Sequence, residues 1–412
     1  MMKRALVFMC TLFMLSHAKS QAPAMPEEVA RKVADYIIAN TSFQFVDSKT
    51  GEKFQSTKGL KPTADVKAES KFNKWFYPNG VLAIALVQMG QVLNDKKYAE
   101  YARKNYEFIF DNMDYFDTLY KAGTKAEWNA LFSMDNLDAC GAMAAGLSDV
   151  NAVSMRRDWQ TYLEKAARYI FEKQLRSADG TFVRPTPRNT TLWADDLYMS
   201  VPFLARMGKL TGNNKYFEDA IIQVENFNKY LFDTASGLYF HAYYNDVQQK
   251  GTAHWGRSNG WVAVAQTELL NYLPTNHPKR QMLIKLLLRQ IAGYARYQDV
   301  SGLWHQLLDK QDSYLETSVS AMFTYVVARA VNEGWIPKNY LSIAKDGWEG
   351  VVSKINPDGQ VRDVCIGTNA AENIRYYYTR TTPLNDSHGL GPVLLAAMEM
   401  VRASRNDQST NK

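Results

Sequence analysis

The chain has 412 residues, of which 46% are hydrophobic and 22% are charged, so it can form a large folded core and is not a disordered chain. Its formal net charge of +6 is mild and its basic residues are interspersed with acidic ones, which argues against a nucleic-acid-binding protein. Aromatic residues reach 13%, which would suit a cleft that stacks sugar rings, although large helical cores also use many aromatics.

The N-terminus predicts a cleaved secretory signal over residues 1–22. A basic start is followed by an apolar run over residues 5–15 and then by small residues. That run is too short to cross a bilayer, and no later stretch predicts a membrane helix. We therefore expect a secreted or periplasmic protein without membrane insertion, in which residues 23–412 form one domain.

Helical periodicity dominates the rest of the chain. In the stretch RDWQTYLEKAARYIFEKQL, for example, Trp159, Leu163, Ala166 and Ile170 fall on one stripe, with Lys and Glu opposite. No comparably long alternating segment predicts a sheet. The twelve predicted helices lie near residues 26–40, 75–93, 96–113, 135–149, 157–177, 195–210, 214–232, 257–273, 278–297, 314–333, 338–356 and 389–404.

Similar glycine turns recur after every second helix, at Gly180, Gly237, Gly302 and Gly359. They mark a unit of about 60 residues that holds two helices and repeats about six times. Neighbouring helix pairs would bury one another, and the last pair would pack on the first. The pattern predicts an all-α (α/α)6 barrel, with an open α-solenoid as the alternative.

Two acidic clusters each stand at the start of an apolar helix. Asp195 and Asp196 directly follow Trp193 and Ala194 in the sequence. Asp135 and Asp138 lie at the start of the fourth predicted helix. Acids at these positions are common helix caps, which is the simplest interpretation of either cluster alone. Two clusters from separate repeats can, however, meet at one barrel mouth and supply the paired carboxyl groups of glycoside chemistry.

The stretch HWGRSNGW places Arg257 between Trp255 and Trp261 at the start of another helix. An arginine between indoles could bind a sugar carboxylate, whereas the alternative is a structural arginine that binds loop carbonyls. Aromatic and imidazole side chains of other turns and helix starts are further candidates. These are Tyr77, His241 and His388.

Cofactor chemistry has no support in the sequence. It contains no phosphate-binding loop, no dinucleotide glycine fingerprint and no HExxH motif, and its histidines are not spaced as helical metal pairs. We expect neither a metal nor a cofactor. After removal of the signal only Cys140 and Cys365 remain, and the sequence leaves open whether they form a disulfide.

The motifs WADDLYMSVPFL, HWGRSNGWV, LDACGAM, WFYPNG, YLETS and NDSHGLGP together resemble glycoside hydrolase family 105, the unsaturated uronyl hydrolases. This family is related to family 88, the unsaturated glucuronyl hydrolases. The resemblance runs from about Pro26 to Arg402. It implies an (α/α)6 barrel without a metal that removes a 4,5-unsaturated uronic acid from the non-reducing end of oligosaccharides made by polysaccharide lyases.

The resemblance also implies roles for single residues. The family's general acid/base follows a tryptophan by two positions, which matches Asp195, although the doubled acid leaves a shift to Asp196 open. The second catalytic carboxylate matches Asp138, with Asp135 as the alternative. With the candidates already named, the predicted substrate-binding residues are Tyr77, Asp135, Trp193, Asp196, His241, Trp255, Arg257, Trp261 and His388.

The expected substrate sets the chemistry. Its C4=C5 bond is a vinyl ether, which accepts a proton at C4 because the ring oxygen shares the resulting charge at C5. Asp195 would donate that proton and then, as the ionised carboxylate, accept a proton from the water that adds at C5. This requires a pKa of Asp195 raised by burial and by Asp138. An inverting glycosidase, a sugar epimerase and a non-catalytic glycan-binding protein are the alternatives. The sequence leaves open the oligomeric state and the aglycone, for which rhamnose is the expected neighbour.

Overall fold

The computed structural model describes residues 25–410, so the predicted signal at residues 1–22 lies outside the described residues. The helices are α1 (Pro26–Ala39), α2 (Tyr77–Leu93), α3 (Lys96–Phe110), α4 (Met113–Lys121), α5 (Asn129–Ser133), α6 (Leu137–Val153), α7 (Arg157–Glu172), α8 (Asp196–Thr211), α9 (Lys215–Leu231), α10 (Gly256–Tyr272), α11 (Arg280–Ala295), α12 (Thr317–Asn332), α13 (Leu341–Ser353), α14 (Ile374–Tyr378) and α15 (Ser387–Thr410). The strands are β1 (Phe45–Asp47), β2 (Lys53–Phe54), β3 (Val66–Ala68), β4 (Thr191–Trp193), β5 (Phe232–Asp233), β6 (Leu238–Tyr239), β7 (Ala242–Tyr244), β8 (Gln249–Lys250), β9 (Trp304–His305) and β10 (Leu315–Glu316).

Six helices form a closed inner ring. In ring order they are α2, α6, α8, α10, α12 and α15, and α15 packs back on α2. Each inner helix carries one outer helix: α3 packs on α2, α7 on α6, α9 on α8, α11 on α10, α13 on α12 and α1 on α15. The predicted (α/α)6 barrel is confirmed, and closure of the ring excludes the open solenoid.

The two rings differ in sequence because they differ in surroundings. Inner helices touch protein on all sides, and almost every residue of α10 and α12 is buried. Outer helices are amphipathic: α7 buries Trp159, Leu163, Ala166 and Ile170 and turns its charged residues to solvent. The stripe read from the sequence is therefore the face of α7 that packs on the inner ring.

The recurrent glycine turns pack against helices of the outer ring. Gly180, Gly237, Gly302 and Gly359 all have φ between +75° and +96°, a conformation that favours glycine. A Cβ on Gly302 would lie 1.9 Å from the carbonyl oxygen of Asp346 in α13. The last turn packs in the same way on the first helix, because a Cβ on Gly359 would lie 2.4 Å from a backbone oxygen of α1.

All twelve predicted helices are present, with ends displaced by a few residues. The short helices α4, α5 and α14, of 9, 5 and 5 residues, were not predicted, because periodicity is weak over so few residues. The strands have two or three residues each and pair within the loops. Over residues 25–410, none of the helices combines the length and hydropathy needed to span a bilayer.

Candidate active site

A cavity with about 470 Å³ of empty space opens where the N-terminal ends of inner helices meet. The starts of α2, α6, α8 and α15 contribute to its wall, and a loop between α13 and α14 covers one side. It is lined by Phe76, Tyr77, Asp138, Arg184, Trp193, Asp195, Met199, Gly367, Thr368, Asn369 and His388.

Strand pairing places Asp195 beside His241. β4 and β7 are antiparallel with Trp193 opposite Ala242, so the residues just beyond them, Ala194 and His241, are joined by a backbone hydrogen bond of 2.9 Å. The carboxylate Oδ2 of Asp195 consequently lies 2.8 Å from Nε2 of His241. The Asp195 side chain accepts no capping hydrogen bond from α8. The simple capping interpretation therefore does not hold for Asp195.

The imidazole of His241 is held from behind by a tyrosine. Its Nδ1 lies 2.8 Å from the hydroxyl of Tyr377, and that hydroxyl accepts a hydrogen bond of 3.0 Å from the backbone N–H of Ala371. The Tyr377 hydroxyl thereby fixes the orientation of the ring, and Nε2 is the ring nitrogen that lies toward Asp195. His241 is 1% exposed, so this arrangement is shielded from solvent.

The second carboxylate of the doubled acid has a different partner. Nε of Arg184 lies 3.0 Å from each oxygen of Asp196, while Nη1 and Nη2 donate to the two oxygens of Asp138 at 2.9 and 2.8 Å. The guanidinium also stacks over Trp193, 4.4 Å from the ring centroid. A Cβ on Gly141 would lie 1.5 Å from a backbone oxygen of α8, so this glycine permits the close approach of α6 that brings both acids to one arginine.

These contacts separate the pKa values of the adjacent acids. Burial raises the pKa of Asp196 to about 6, although Arg184 acts in the opposite direction. Burial also opposes ionisation of Asp195, but His241, with Arg184 and Arg257, outweighs it and lowers the pKa of that carboxyl. The sequence led us to expect a raised pKa for Asp195, and the structure gives the opposite direction because an imidazole lies against it.

Trp255, Arg257 and Trp261 lie in the layer behind the cavity wall. Arg257 is fully buried and donates to the backbone carbonyl oxygens of Cys365 and Ile366, the latter at 2.6 Å from Nη2. These are bonds to loop carbonyls, as in the structural alternative for this arginine. It thereby supports the loop that covers the cavity.

The indoles of this layer support residues of the cavity wall. Trp255 packs on the ring of His241, with 4.7 Å between centroids. Trp261 contacts Tyr77, whose ring borders the cavity, at 6.2 Å.

The remaining candidates divide between the cavity and the surface. His388 borders the cavity, with its Nδ1 on Asp386. Asp138 also borders it. Asp135 is exposed, accepts a hydrogen bond from the side chain of Asn136 and takes no part in the lining. Of the two acids in the earlier cluster, the structure thus brings only Asp138 to the cavity.

The sequence did not single out Arg184, Phe76, Tyr377 or the loop residues 367–369. Arg184 is a lone charge between the apolar pair Phe182–Val183 and a proline, and such a buried charge needs a partner. That signal could have identified it. The loop residues line the cavity only because of tertiary packing, and no local pattern marks them.

Cys140 and Cys365 are both buried and both free thiols. Within residues 25–410, no group of three or more His, Cys, Asp or Glu side chains is arranged to hold a metal ion. The arrangement instead offers carboxyl and imidazole groups that can exchange protons with a bound molecule.

The family model described as Glycosyl Hydrolase Family 88 matches residues 52–404. The chain belongs to this family. The relation to family 88 read from the motifs is therefore confirmed.

Two relatives and one solved structure are similar to this family 88 chain. The unsaturated rhamnogalacturonyl hydrolase YesR of Bacillus subtilis (strain 168) is 32% identical over 225 residues, which cover 52% of this chain and 64% of that protein. An unsaturated 3S-rhamnoglycuronyl hydrolase of Alteromonas sp. (strain LOR) is 29% identical over 219 residues, covering 51% of each. The matched part thus spans less than two thirds of either relative. A glycoside hydrolase of family 105 from C. acetobutylicum ATCC 824 shares the fold, with a TM-score of 0.71, 24% identity and coverage of 90% and 98% of the two chains.

Proposed function

We propose that this protein is an exo-acting hydrolase that removes a 4,5-unsaturated uronic acid from the non-reducing end of oligosaccharides produced by polysaccharide lyases. The observation that carries the proposal is the buried contact between Asp195 and His241 at the wall of the cavity in the barrel mouth. The family match and the relatives named as unsaturated uronyl hydrolases support the same reaction class. Rhamnogalacturonan, ulvan and arabinogalactan fragments, with rhamnose next to the uronate, are the proposed substrates.

The reaction begins with proton transfer to C4 of the bound uronate. Asp195 is the donor and takes up its proton from water when the substrate binds. The imidazole of His241, whose Nε2 lies 2.8 Å from Oδ2, holds the carboxyl in place. In the free protein the low pKa of Asp195 keeps it ionised. A bound uronate brings its own carboxylate into the same buried space, and that like charge raises the pKa of Asp195 toward the value that a donor needs.

Water then adds to C5, which carries the positive charge shared with the ring oxygen. The product is a hemiketal, which opens to a 5-keto sugar and releases the aglycone as C1 becomes an aldehyde. Asp138, held by the two terminal guanidinium nitrogens of Arg184, is the second carboxylate at the cavity and stabilises the developing positive charge.

Loss of absorbance near 235 nm tests the proposal, because the conjugated C4=C5 bond disappears. Purified protein should bleach at least one member of a panel of lyase products from rhamnogalacturonan, ulvan and arabinogalactan. Asp195→Asn should lower kcat by at least about 1,000-fold, near the upper range of acid–base catalysis, and leave the fold intact. Asp158→Asn, which removes a first-turn acid from the outer helix α7, serves as the matched control and should retain activity.

Other outcomes would favour other functions. Turnover of a saturated glycoside, with the unsaturated panel untouched, would indicate an ordinary glycosidase. Epimerised sugar as the product would indicate an epimerase. Binding of glycans that is indifferent to Asp195→Asn, with no turnover, would indicate a non-catalytic protein. For location, we propose secretion or a periplasmic site, which the mass of the mature N-terminus in an exported fraction would test.

A further inference from the structure

A second carboxylate–imidazole pair, Asp386 with His388, stands on the wall opposite Asp195. In ring order α15 is three places from α8, so the starts of these two helices face each other across the barrel mouth. His388 lies in the first turn of α15, and Asp195 immediately precedes α8. Both side chains border the same cavity. A molecule in the cavity is therefore placed between them.

Asp386 determines which nitrogen of His388 carries hydrogen. Its Oδ1 lies 2.5 Å from Nδ1 of His388 and also accepts the backbone N–H of that histidine at 3.0 Å. The hydrogen bonds from His388 lower the pKa of Asp386 against the effect of burial, so the carboxyl is ionised and can only accept hydrogen bonds. The hydrogen must lie on Nδ1, and Nε2 of the neutral ring presents a lone pair.

That lone pair has no partner within the described part of the protein. Nε2 of His388 makes no hydrogen bond, although the side chain is only 3% exposed. Phe76 and Tyr77 hold the ring by edge contacts, with centroids at 5.6 and 5.3 Å. Buried polar atoms are normally satisfied, so an orphan atom at a cavity wall points to a ligand that satisfies it.

The surroundings also favour the neutral form of the ring. Burial, followed by the positive charge of Arg257, lowers the pKa of His388 below its usual value, and Asp386 only partly offsets this. Near neutral pH the imidazole of His388 is thus neutral and can accept a proton at Nε2.

We propose that His388 is the base for the water that adds to C5, while Asp195 serves only as the acid. This inference rests on the proposed function. The O–H bond of water breaks as its oxygen bonds to C5, and the proton moves to Nε2 of His388. The C4–H bond forms from the Asp195 proton, and the electron pair of the C4=C5 bond is used in that bond. The imidazolium, stabilised by Asp386, then returns its proton to solvent.

Substitution and chemical rescue test this role. His388→Ala should lower kcat by about 100- to 10,000-fold, the range of general acid–base catalysis, while KM changes by less than about threefold. Added imidazole should restore activity to His388→Ala in proportion to its concentration and should leave Asp195→Asn inactive. Asp386→Asn keeps an acceptor for Nδ1 but loses the charge, so a smaller fall in kcat, of about tenfold, is expected.

His254→Gln is the matched control. His254 is also buried, has its Nδ1 3.3 Å from a carboxylate oxygen of Asp309 and has no hydrogen bond at Nε2, but it does not border the cavity. Its substitution should leave kcat unchanged. Where His388→Ala fails to give a folded protein, His388→Gln, which fills the same space, is expected to show the same fall in kcat.

Several results would overturn the inference. A raised KM with an unchanged kcat in His388→Gln would make His388 a binding contact only. Absence of imidazole rescue in folded His388→Ala would exclude proton transfer by this residue. A wild-type protein that bleaches no unsaturated substrate would refute the proposed function itself, a result that is visible before any variant is made.

Discussion

Replacing Arg184 by methionine removes the cation that holds two carboxylates of the site. The wild-type guanidinium donates to both oxygens of Asp196 and both oxygens of Asp138. Methionine retains much of the apolar stem and its contact with Trp193, so the variant tests the charge more than the packing. In the variant Asp196 stays buried, with 1% of its side chain exposed, and has lost its only ion-pair partner within the described residues.

The expected loss of stability follows from the burial of Asp196. Removing one member of a buried ion pair destabilises a protein by about 3–5 kcal/mol, because the remaining charge is left without compensation. Asp138 adds little to this figure, since 35% of its side chain is exposed and water can solvate it. The double variant Arg184→Met/Asp196→Asn removes the stranded charge as well. It should therefore be more stable than Arg184→Met alone by about 2 kcal/mol, a non-additive result for two groups in contact.

The loss of stability in Arg184→Met should also depend on pH in a defined direction. The pKa of Asp196 is already raised to about 6 with Arg184 present, and it rises further without the cation. A carboxyl whose folded-state pKa is raised contributes stability below its unfolded pKa near 4, and that contribution is lost as pH rises through the folded value. Arg184→Met should thus be closest to wild type near pH 5 and furthest from it near pH 8.

Urea unfolding at pH 5, 6.5 and 8, followed by circular dichroism, measures these differences. Wild type, both single variants and the double variant complete the cycle. The reasoning is refuted if Arg184→Met lies within about 0.5 kcal/mol of wild type at pH 8. A double variant whose destabilisation equals the sum of the two single ones would refute it as well.

Two further predictions concern the turns and the support of the site. Gly302→Ala should lower the free energy of unfolding by more than about 2 kcal/mol, because the residue has a positive φ and its Cβ would lie 1.9 Å from the Asp346 carbonyl oxygen. Gly180 has a similar φ but open space around it, so Gly180→Ala should lower the free energy of unfolding by only about 1–2 kcal/mol in the same urea assay. An equal loss in both variants would contradict packing of the Gly302 turn on α13. Tyr377→Phe should reduce kcat about tenfold with the fold unchanged, since His241 loses the 2.8 Å contact that orients it toward Asp195; an unchanged kcat in the 235 nm assay would show that His241 needs no such support.

The barrel could be predicted because its signals are local and repeat. Each inner or outer helix is long enough for its periodicity to appear, and glycines such as Gly237 and Gly359 are required by the backbone of the recurring turn. The short helix α14 gives no such signal. It nevertheless matters for the site, because it supplies Tyr377 to His241.

The candidate site could be predicted only in part, because only some of its residues give a local signal in the sequence. Asp195 and Asp138 stand out as acids at the starts of apolar helices, and both border the cavity. Arg257 has an equally suggestive sequence, yet it binds loop carbonyls behind the wall. Which residues of a helix start face the mouth is decided by how far helices rotate and slide against one another, and the spacing of residues in one segment does not contain that information.

The doubled acid Asp195–Asp196 has a physical explanation in this arrangement. Consecutive residues at a helix start point in different directions, so the first carboxyl meets the cavity and His241 while the second turns inward to Arg184. Three carboxylates this close would repel one another in a buried space, and the arginine makes the cluster tolerable by binding Asp138 and Asp196 together. The hydrogen bonds of Arg184 are thereby used by two acids, whereas the carboxyl of the third, Asp195, lies 2.8 Å from the imidazole of His241. On this view Asp196 and Arg184 form a structural ion pair, whereas Asp195 is the acid whose protonation state changes during the proposed reaction.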